Sequence, residues 1–74
     1  MKRVFIYDFS EIGHIIYRAR INKGYTQSQL AALCNESNAN LSNIENGKRL
    51  NLTINRIMKI IKHLDIELQF IVYE

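Results

Sequence analysis

Three asparagines, Asn38, Asn40 and Asn43, lie close together in a chain of 74 residues. A side-chain amide both donates and accepts hydrogen bonds, and its two groups match the N6/N7 edge of adenine. An ordinary solvated surface would more often carry lysine and glutamate at this density. The cluster therefore suggests hydrogen bonding to bases, and a plain polar surface is the alternative for each asparagine.

Cations follow this cluster but do not lie within it. Residues 24–47 contain no lysine or arginine, whereas Lys48 and Arg49 come directly after them. The whole chain has ten basic and seven acidic side chains, a net charge of +3 and a pI near 9.2. This balance is compatible with nucleic-acid binding but does not prove it. We expect Lys48 and Arg49 to attract phosphate groups; the alternative is that they are solvated loop charges.

The other reactive residue types form no catalytic or metal site. Cys34 is the only cysteine, and together with His14 and His63 it does not give a zinc-ligand spacing. The sequence shows no Ser-His-Asp set, no paired carboxylates and no glycine-rich phosphate loop. We therefore expect no enzymatic activity, no metal and no cofactor, and we assign Cys34 to the core.

The composition favours a small globular protein of the cytoplasm. Apolar residues make up 47% of the chain and charged residues 23%, which is a globular balance. No stretch approaches the roughly 20 apolar residues of a membrane helix, and the first residues lack the pattern of a signal peptide. Because a core of this size is marginal alone, we expect a single domain over residues 1–74 that forms a homodimer.

Periodicity divides the chain into the elements that must position these residues. Residues 3–7 are β-branched and aromatic, which predicts a short strand. Ser10 is a candidate cap for a first helix over about 10–22. The apolar face of that helix comprises Ile12, Ile15, Ile16 and Ala19. Gly24 is expected to end it.

Two short helices joined by a tight turn are predicted in the middle of the chain. The first covers about 26–34, and Thr26 with Gln29 forms a capping-box pattern at its start. The second covers about 37–45 and has Ser37 as its cap. Together they have the spacing of a helix-turn-helix.

A fourth helix followed by a strand is predicted for the last part of the chain. Thr53 caps the helix, and Asp65 ends it. The expected core face of this helix comprises Ile54, Ile57, Ile61 and Leu64. Apolar residues then alternate over 66–73, which predicts a strand. Its apolar face comprises Ile66, Leu68, Phe70 and Val72. A strand needs a partner, which is the segment 3–7, a second copy of itself, or both.

Two stretches, YTQSQLA at residues 25–31 and LSNIENGK at residues 41–48, resemble the Cro/C1-type (Xre) helix-turn-helix family. The match runs without a gap across residues 25–47, and the resemblance covers most of residues 12–64. It implies a mainly α, lambda-repressor-like four-helix domain with its helix-turn-helix at residues 26–45. It also implies binding to double-stranded DNA, with the second helix of the motif in the major groove.

The resemblance assigns roles to particular side chains. Three positions match base-reading residues: Asn38, Ala39 and Asn43. Three positions match residues that contact the phosphate backbone: Gln27, Ser37 and Asn46. The expected DNA face is completed by Asn40, Ser42, Lys48 and Arg49. Ala39 offers only a methyl group, which suits contact with a thymine methyl. The expected target is a palindromic operator.

Two acidic residues near the motif call for partners. The resemblance pairs Glu45 with Arg20 as a structural ion pair, so we do not expect Glu45 to contact bases. Glu36 stands in the turn, where the family usually has an apolar residue. Its carboxylate must reach solvent or a cation, and we expect the turn to be less tightly packed.

A helix-turn-helix that ends in a strand resembles the HipB-like antitoxins, which are short homodimers with paired C-terminal strands. This narrower resemblance implies a type II toxin–antitoxin role, with repression of its own operon and binding to a HipA-like kinase toxin. The expected dimer contacts are Met58, Ile60, Ile66, Leu68, Phe70 and Val72. The sequence stops at Glu74, so the resemblance does not extend to the longer tail of larger antitoxins.

Two other functions fit the same residues. A free-standing phage or plasmid repressor would use the same DNA face without a toxin partner. A protein-interaction module would use the helical scaffold without DNA. A salt-dependent footprint on palindromic DNA separates the first of these from the second. An adjacent kinase-like reading frame separates the antitoxin from the free repressor.

Overall fold

The computed structural model describes residues 9–48 and 52–69. Four α-helices lie within these ranges: α1 (Phe9–Lys23), α2 (Gln27–Leu33), α3 (Asn38–Glu45) and α4 (Ile54–Ile61). Their number and order confirm the prediction of a mainly helical domain. The strand expected at residues 3–7 lies outside the described residues, and no strand is formed within them.

A residue whose side-chain oxygen caps the helix directly precedes each of the last three helices. The hydroxyl groups of Thr26, Ser37 and Thr53 accept the backbone N–H three residues on, at 3.1, 3.0 and 3.2 Å. At α2 the capping box is complete, because Gln29 Oε1 accepts the Thr26 N–H at 2.9 Å. These predicted caps are confirmed. The prediction for Ser10 is wrong, because α1 already begins at Phe9.

A left-handed backbone conformation follows each of the four described helices, and Gly47 takes this conformation after α3 with φ 77°. Gly24 follows α1 with φ 78°, as expected of a glycine at this position. Asn35 after α2 and Asp65 after α4 both have φ 56°, which asparagine and aspartate tolerate better than other non-glycine residues. Asn35 is therefore a residue type that suits the left-handed conformation in the turn between α2 and α3.

The core lies where the helices meet. Its buried apolar side chains are Ile16, Leu30, Ala31, Cys34, Leu41, Ile44, Ile57, Ile60, Ile61 and Leu64. Cys34 lies in this core, and its Sγ donates to the Leu30 carbonyl oxygen at 2.7 Å. Burial raises the pKa of the Cys34 thiol above its ordinary value of 9.0, which keeps the thiol protonated at neutral pH.

Two residues of α4 differ from the prediction. Ile54 was assigned to the core but is 48% exposed, whereas Ile60 was assigned to a dimer contact but is 0% exposed. The buried stripe runs through Ile57, Ile60 and Ile61, with spacing i, i+3, i+4, and Ile54 lies at its flank. Ile60 is therefore unavailable to a partner chain, while Met58, which is 48% exposed, stays available.

Gly13 marks the closest approach between α1 and α3. A methyl group at this position would overlap the backbone carbonyl oxygen of Ile44 and would lie 3.3 Å from the Cα of Glu45. The absence of a side chain lets the backbone of α3 lie directly on α1. This contact fixes the depth at which α3 sits in the fold.

The segment after α4, residues 66–69, forms neither a helix nor a strand within the described residues. Ile66 and Leu68 are half-buried against the core, whereas Glu67 and Gln69 are exposed. The predicted alternation of apolar and polar faces is thus confirmed over 66–69. Ile66 and Leu68 contact their own core, so the expected dimer face is partly used within the chain. Phe70 and Val72 lie outside the described residues.

Candidate nucleic-acid interface

The solvent-facing side of α3 carries the side chains expected to meet DNA. Asn38, Ala39 and Asn40 in its first turn are exposed, and Ser42 and Asn43 in the next turn are half-buried. None of these five side chains carries a formal charge. The rest of α3 packs against α1 and α2. The structure therefore places all five together on the accessible part of one short helix.

Neighbouring side chains orient two of the amides in this set. Asn38 Nδ2 donates to Ser28 Oγ of α2 at 2.8 Å, and Asn40 Nδ2 donates to Glu36 Oε2 of the turn at 3.4 Å. Among the described residues, no side chain hydrogen-bonds the amide of Asn43. Asn43 thus retains its full hydrogen-bonding capacity for a ligand, while the other two amides are partly oriented in advance.

A buried ion pair lies beneath the far end of α3. Arg20 Nε of α1 donates to Glu45 Oε2 at 2.7 Å, and Arg20 Nη2 donates to Glu45 Oε1 at 3.2 Å. Arg20 Nη1 also donates to the Tyr25 carbonyl oxygen at 2.9 Å, and the guanidinium lies 5.4 Å from the centre of the Tyr17 ring. The structure therefore brings Arg20 and Glu45 together and gives the guanidinium further partners.

This pair also positions a residue expected to contact phosphate. Gln27 Nε2, in the first turn of α2, donates to Glu45 Oε1 at 3.0 Å. Glu45 is thereby engaged by Arg20 and Gln27 and is buried. The geometry leaves Glu45 no exposed carboxylate to offer a base. Since one N–H of Gln27 Nε2 is donated to Glu45, the second N–H is the group that could be donated to a phosphate oxygen.

A second ion pair holds the turn between α2 and α3. Arg56 Nε and Nη2 of α4 donate to Glu36 Oε1 and Oε2 at 2.9 and 2.8 Å. The Glu36 side chain is only 8% exposed. Its hydrogen bonds with Arg56 hold the pKa of the Glu36 carboxyl below its ordinary value of 4.5. The carboxylate thus reaches a cation, which was one of the two expected solutions, and the turn is packed against α4.

The remaining expected contacts lie around the ends of α3. Ser37 uses its hydroxyl oxygen to cap the helix, and Asn46 is exposed with its amide donating to Ser42 Oγ at 3.4 Å. Lys48 is exposed, and its backbone N–H donates to the Asn43 carbonyl oxygen at 2.9 Å. Arg49 lies outside the described residues. The positive charge therefore borders the asparagine face at its C-terminal end.

Sequence reasoning missed Arg56, Gly13 and Ser28 as parts of this arrangement. A partial signal existed for Arg56, because the carboxylate of Glu36 had to reach solvent or a cation, and Arg56 of α4 is the cation that it reaches. Gly13 sits inside a helical pattern, where a glycine indicates close backbone contact. Ser28 carried no signal, since an exposed serine on a helix is ordinary.

Other kinds of site are not formed by the described residues. Within 9–48 and 52–69, no three His, Cys, Asp or Glu side chains are placed to hold a metal ion. In the same part of the chain, every helix is too short or too polar to cross a membrane. The face of α3 is the candidate site that the geometry favours.

The model of a helix-turn-helix family, HTH_3, matches residues 16–71. This segment contains α2, α3 and α4 and the second half of α1. No curated protein matches the chain closely enough for comparison. The family match therefore contains the whole candidate interface, including both ion pairs.

Proposed function

The chain belongs to the Cro/C1-type helix-turn-helix family, and on that premise we propose that it is a transcriptional repressor that binds an operator as a homodimer. The family match supports sequence-specific DNA binding by a regulator. The single observation that carries the proposal is the uncharged, amide-bearing face of α3, which α2 and the turn hold in place.

The interface divides into base-reading and phosphate-binding parts. Asn38, Ala39 and Asn43 offer amide groups and a methyl group, which suit the base edges of the major groove. Gln27 and Lys48 flank this face, where DNA phosphates would lie. Because the reading face is uncharged, attraction to DNA in general depends on the flanking groups, and discrimination between sequences depends on α3.

A homodimer matches this reading geometry. Two copies related by a two-fold axis would place their α3 helices in successive major grooves, about 34 Å apart, on an inverted repeat. Ile54 and Met58, one helical turn apart on α4, are each 48% exposed. They supply apolar surface for a second copy.

The experiment is selection of binding sites from random DNA, followed by measurement of affinity across a salt series. We expect an inverted repeat. Asn43→Ala should weaken binding at particular base pairs by about 1–3 kcal/mol. Lys48→Ala should weaken all sequences equally and reduce the salt slope by about one.

Asn55→Ala is the matched control, because Asn55 is an exposed asparagine on α4. It should leave both affinity and preference unchanged. The division of roles is wrong if Asn43→Ala weakens random DNA as strongly as the selected site. It is equally wrong if Lys48→Ala changes base preference at a constant salt slope.

The finer proposal is a HipB-like antitoxin that represses its own operon and binds a HipA-like kinase toxin. It is supported by residues 66–69, which form no helix after α4 and alternate half-buried apolar side chains with exposed polar ones. Co-expression with the product of a neighbouring kinase-like gene tests it. Joint purification and relief of growth arrest are expected. A protein that binds its operator but neither binds nor restrains such a kinase is instead a free-standing phage or plasmid repressor.

A further inference from the structure

The carboxylate of Glu36 joins α4 to the first turn of α3. Arg56 donates to both of its oxygens, at 2.9 and 2.8 Å, and Asn40 Nδ2 donates to Oε2 at 3.4 Å. The backbone N–H of Glu36 donates to the Ala31 carbonyl oxygen of α2 at 2.9 Å. One residue of the turn is therefore bonded to three helices.

The chemistry of a carboxylate fixes the direction of the Asn40 amide. An ionised carboxylate only accepts hydrogen bonds, so the amide must present its NH₂ group to Glu36. Two bonds from a planar guanidinium hold the carboxylate in one orientation. The Asn40 Oδ1 and the second N–H then face away from the turn, on an exposed residue.

We propose that Glu36 is a positioning residue for DNA reading and that Asn40 is a specificity-determining residue favouring adenine. This inference rests on the proposed DNA-binding function. The outward edge of Asn40 offers one acceptor and one donor, which matches adenine N6 and N7. Guanine presents two acceptors on the same edge, so Oδ1 would meet an acceptor there. Without Glu36, the Asn40 amide can rotate to present its groups in either order, and its preference for adenine over guanine is lost.

An apolar turn would serve the fold equally well. A buried ion pair replaced on both sides by apolar residues of similar volume often leaves stability unchanged or raised. Stability alone therefore does not require the carboxylate, whereas orientation of the Asn40 amide does.

The test compares the full chain with the double variant Glu36→Leu/Arg56→Leu on DNA sites selected by the unmodified protein. We expect the double variant to remain folded in thermal melts and to keep its affinity for random DNA. Its preference for adenine over guanine at one base pair of each half-site should fall by about fivefold or more.

Asn40→Ala, made in both the unmodified protein and the double variant, completes a mutant cycle that measures the coupling between Asn40 and the Glu36–Arg56 pair. In the unmodified protein it should cause the same loss at the same base pair, and in the double variant it should cause almost none. Glu36→Gln, which keeps the side-chain shape, should give a partial loss and serves if the double variant unfolds. Asp65→Asn is the control, because that carboxylate pairs with Lys23 at the C-terminal end of α1 and has no bond to Glu36 or Asn40.

The outcomes separate the two proposals. An unmodified protein that selects no defined sequence overturns the DNA-binding function and this inference with it. If the unmodified protein selects an inverted repeat, and both the double variant and Glu36→Gln keep its adenine preference, this inference alone is overturned. Equal losses from Asn40→Ala in both backgrounds also overturn it.

Discussion

Arginine–carboxylate pairs lie at opposite ends of α3. At the C-terminal end, Arg20 and Glu45 have side chains that are 8% and 3% exposed, and they tie α3 to α1. At the N-terminal end, the Arg56 side chain is 23% exposed and its partner Glu36 ties the turn to α4. The comparison shows that α3 is held at both ends, and that the pair at its C-terminal end is the more deeply buried. Burial should therefore rank the energetic effects of breaking them.

The largest effect is expected for Glu45→Ala. This change leaves the Arg20 guanidinium buried without its carboxylate and removes the acceptor of Gln27. The free energy of unfolding should fall by about 3–5 kcal/mol, measured by chemical denaturation. Glu67→Ala, at an exposed glutamate, is the control and should have little effect. Unchanged stability together with an altered operator preference would show that Glu45 reads bases.

Gly13→Ala tests the packing beneath the same buried pair. Alanine normally stabilises a helix relative to glycine by about 1 kcal/mol. Here its methyl group would overlap the Ile44 carbonyl oxygen, so the unfolding free energy should instead fall by about 3 kcal/mol. Asn22→Ala, at an exposed position of α1, should show no such loss. A more stable Gly13→Ala protein would mean that α1 and α3 are not in backbone contact.

Glu36→Gln should cost less, about 2 kcal/mol near neutral pH, because Arg56 is more exposed than Arg20. The pKa of the Glu36 carboxyl is lowered in the folded protein. Its contribution is therefore fully present above the ordinary value of 4.5 and is lost as pH falls through the lower folded-state pKa. Denaturation curves at falling pH should show the two proteins converging in acid. A constant difference at every pH would contradict this assignment.

The smallest effect is expected for Asp65→Asn. Asp65 pairs with Lys23 at 2.6 Å, but its side chain is 80% exposed, and exposed pairs contribute little to stability. Asparagine also tolerates the φ of 56° at this position. The denaturation midpoint should stay the same. A loss as large as that of Glu36→Gln would break the ranking by burial.

The comparison also shows how far the sequence predicts the fold. Thr26, Ser37 and Thr53 were predicted correctly because a cap depends on residues three apart in the chain. The helix breaks at Gly24 and Asp65 were also predicted correctly, because they too depend on residues close together in the sequence. On α4 the pattern was ambiguous, since a helix with so many isoleucines offers more than one apolar stripe. Packing against the other helices chose Ile60 over Ile54.

Contacts between residues far apart in the sequence could not be predicted from local patterns at the site. The Arg20–Glu45 pairing was expected from resemblance to a family, and its 25-residue separation carries no local signal. Arg56 is 20 residues from Glu36, and no helical or strand periodicity connects them. The asparagine face was predicted from the positions of its residues on the expected helix and from the family resemblance, but the side chains that orient it were not.

The uncharged face of α3 has a consequence for how such a regulator diversifies. On the proposed division of roles, exchanging Asn38, Ala39 or Asn43 for other neutral residues would alter which bases are recognised without altering the net charge of the protein. Attraction to bulk DNA, which depends on charge, then stays constant while the target changes. Duplicated copies can acquire separate operators in one cell, each competing with the chromosome to the same extent as its ancestor.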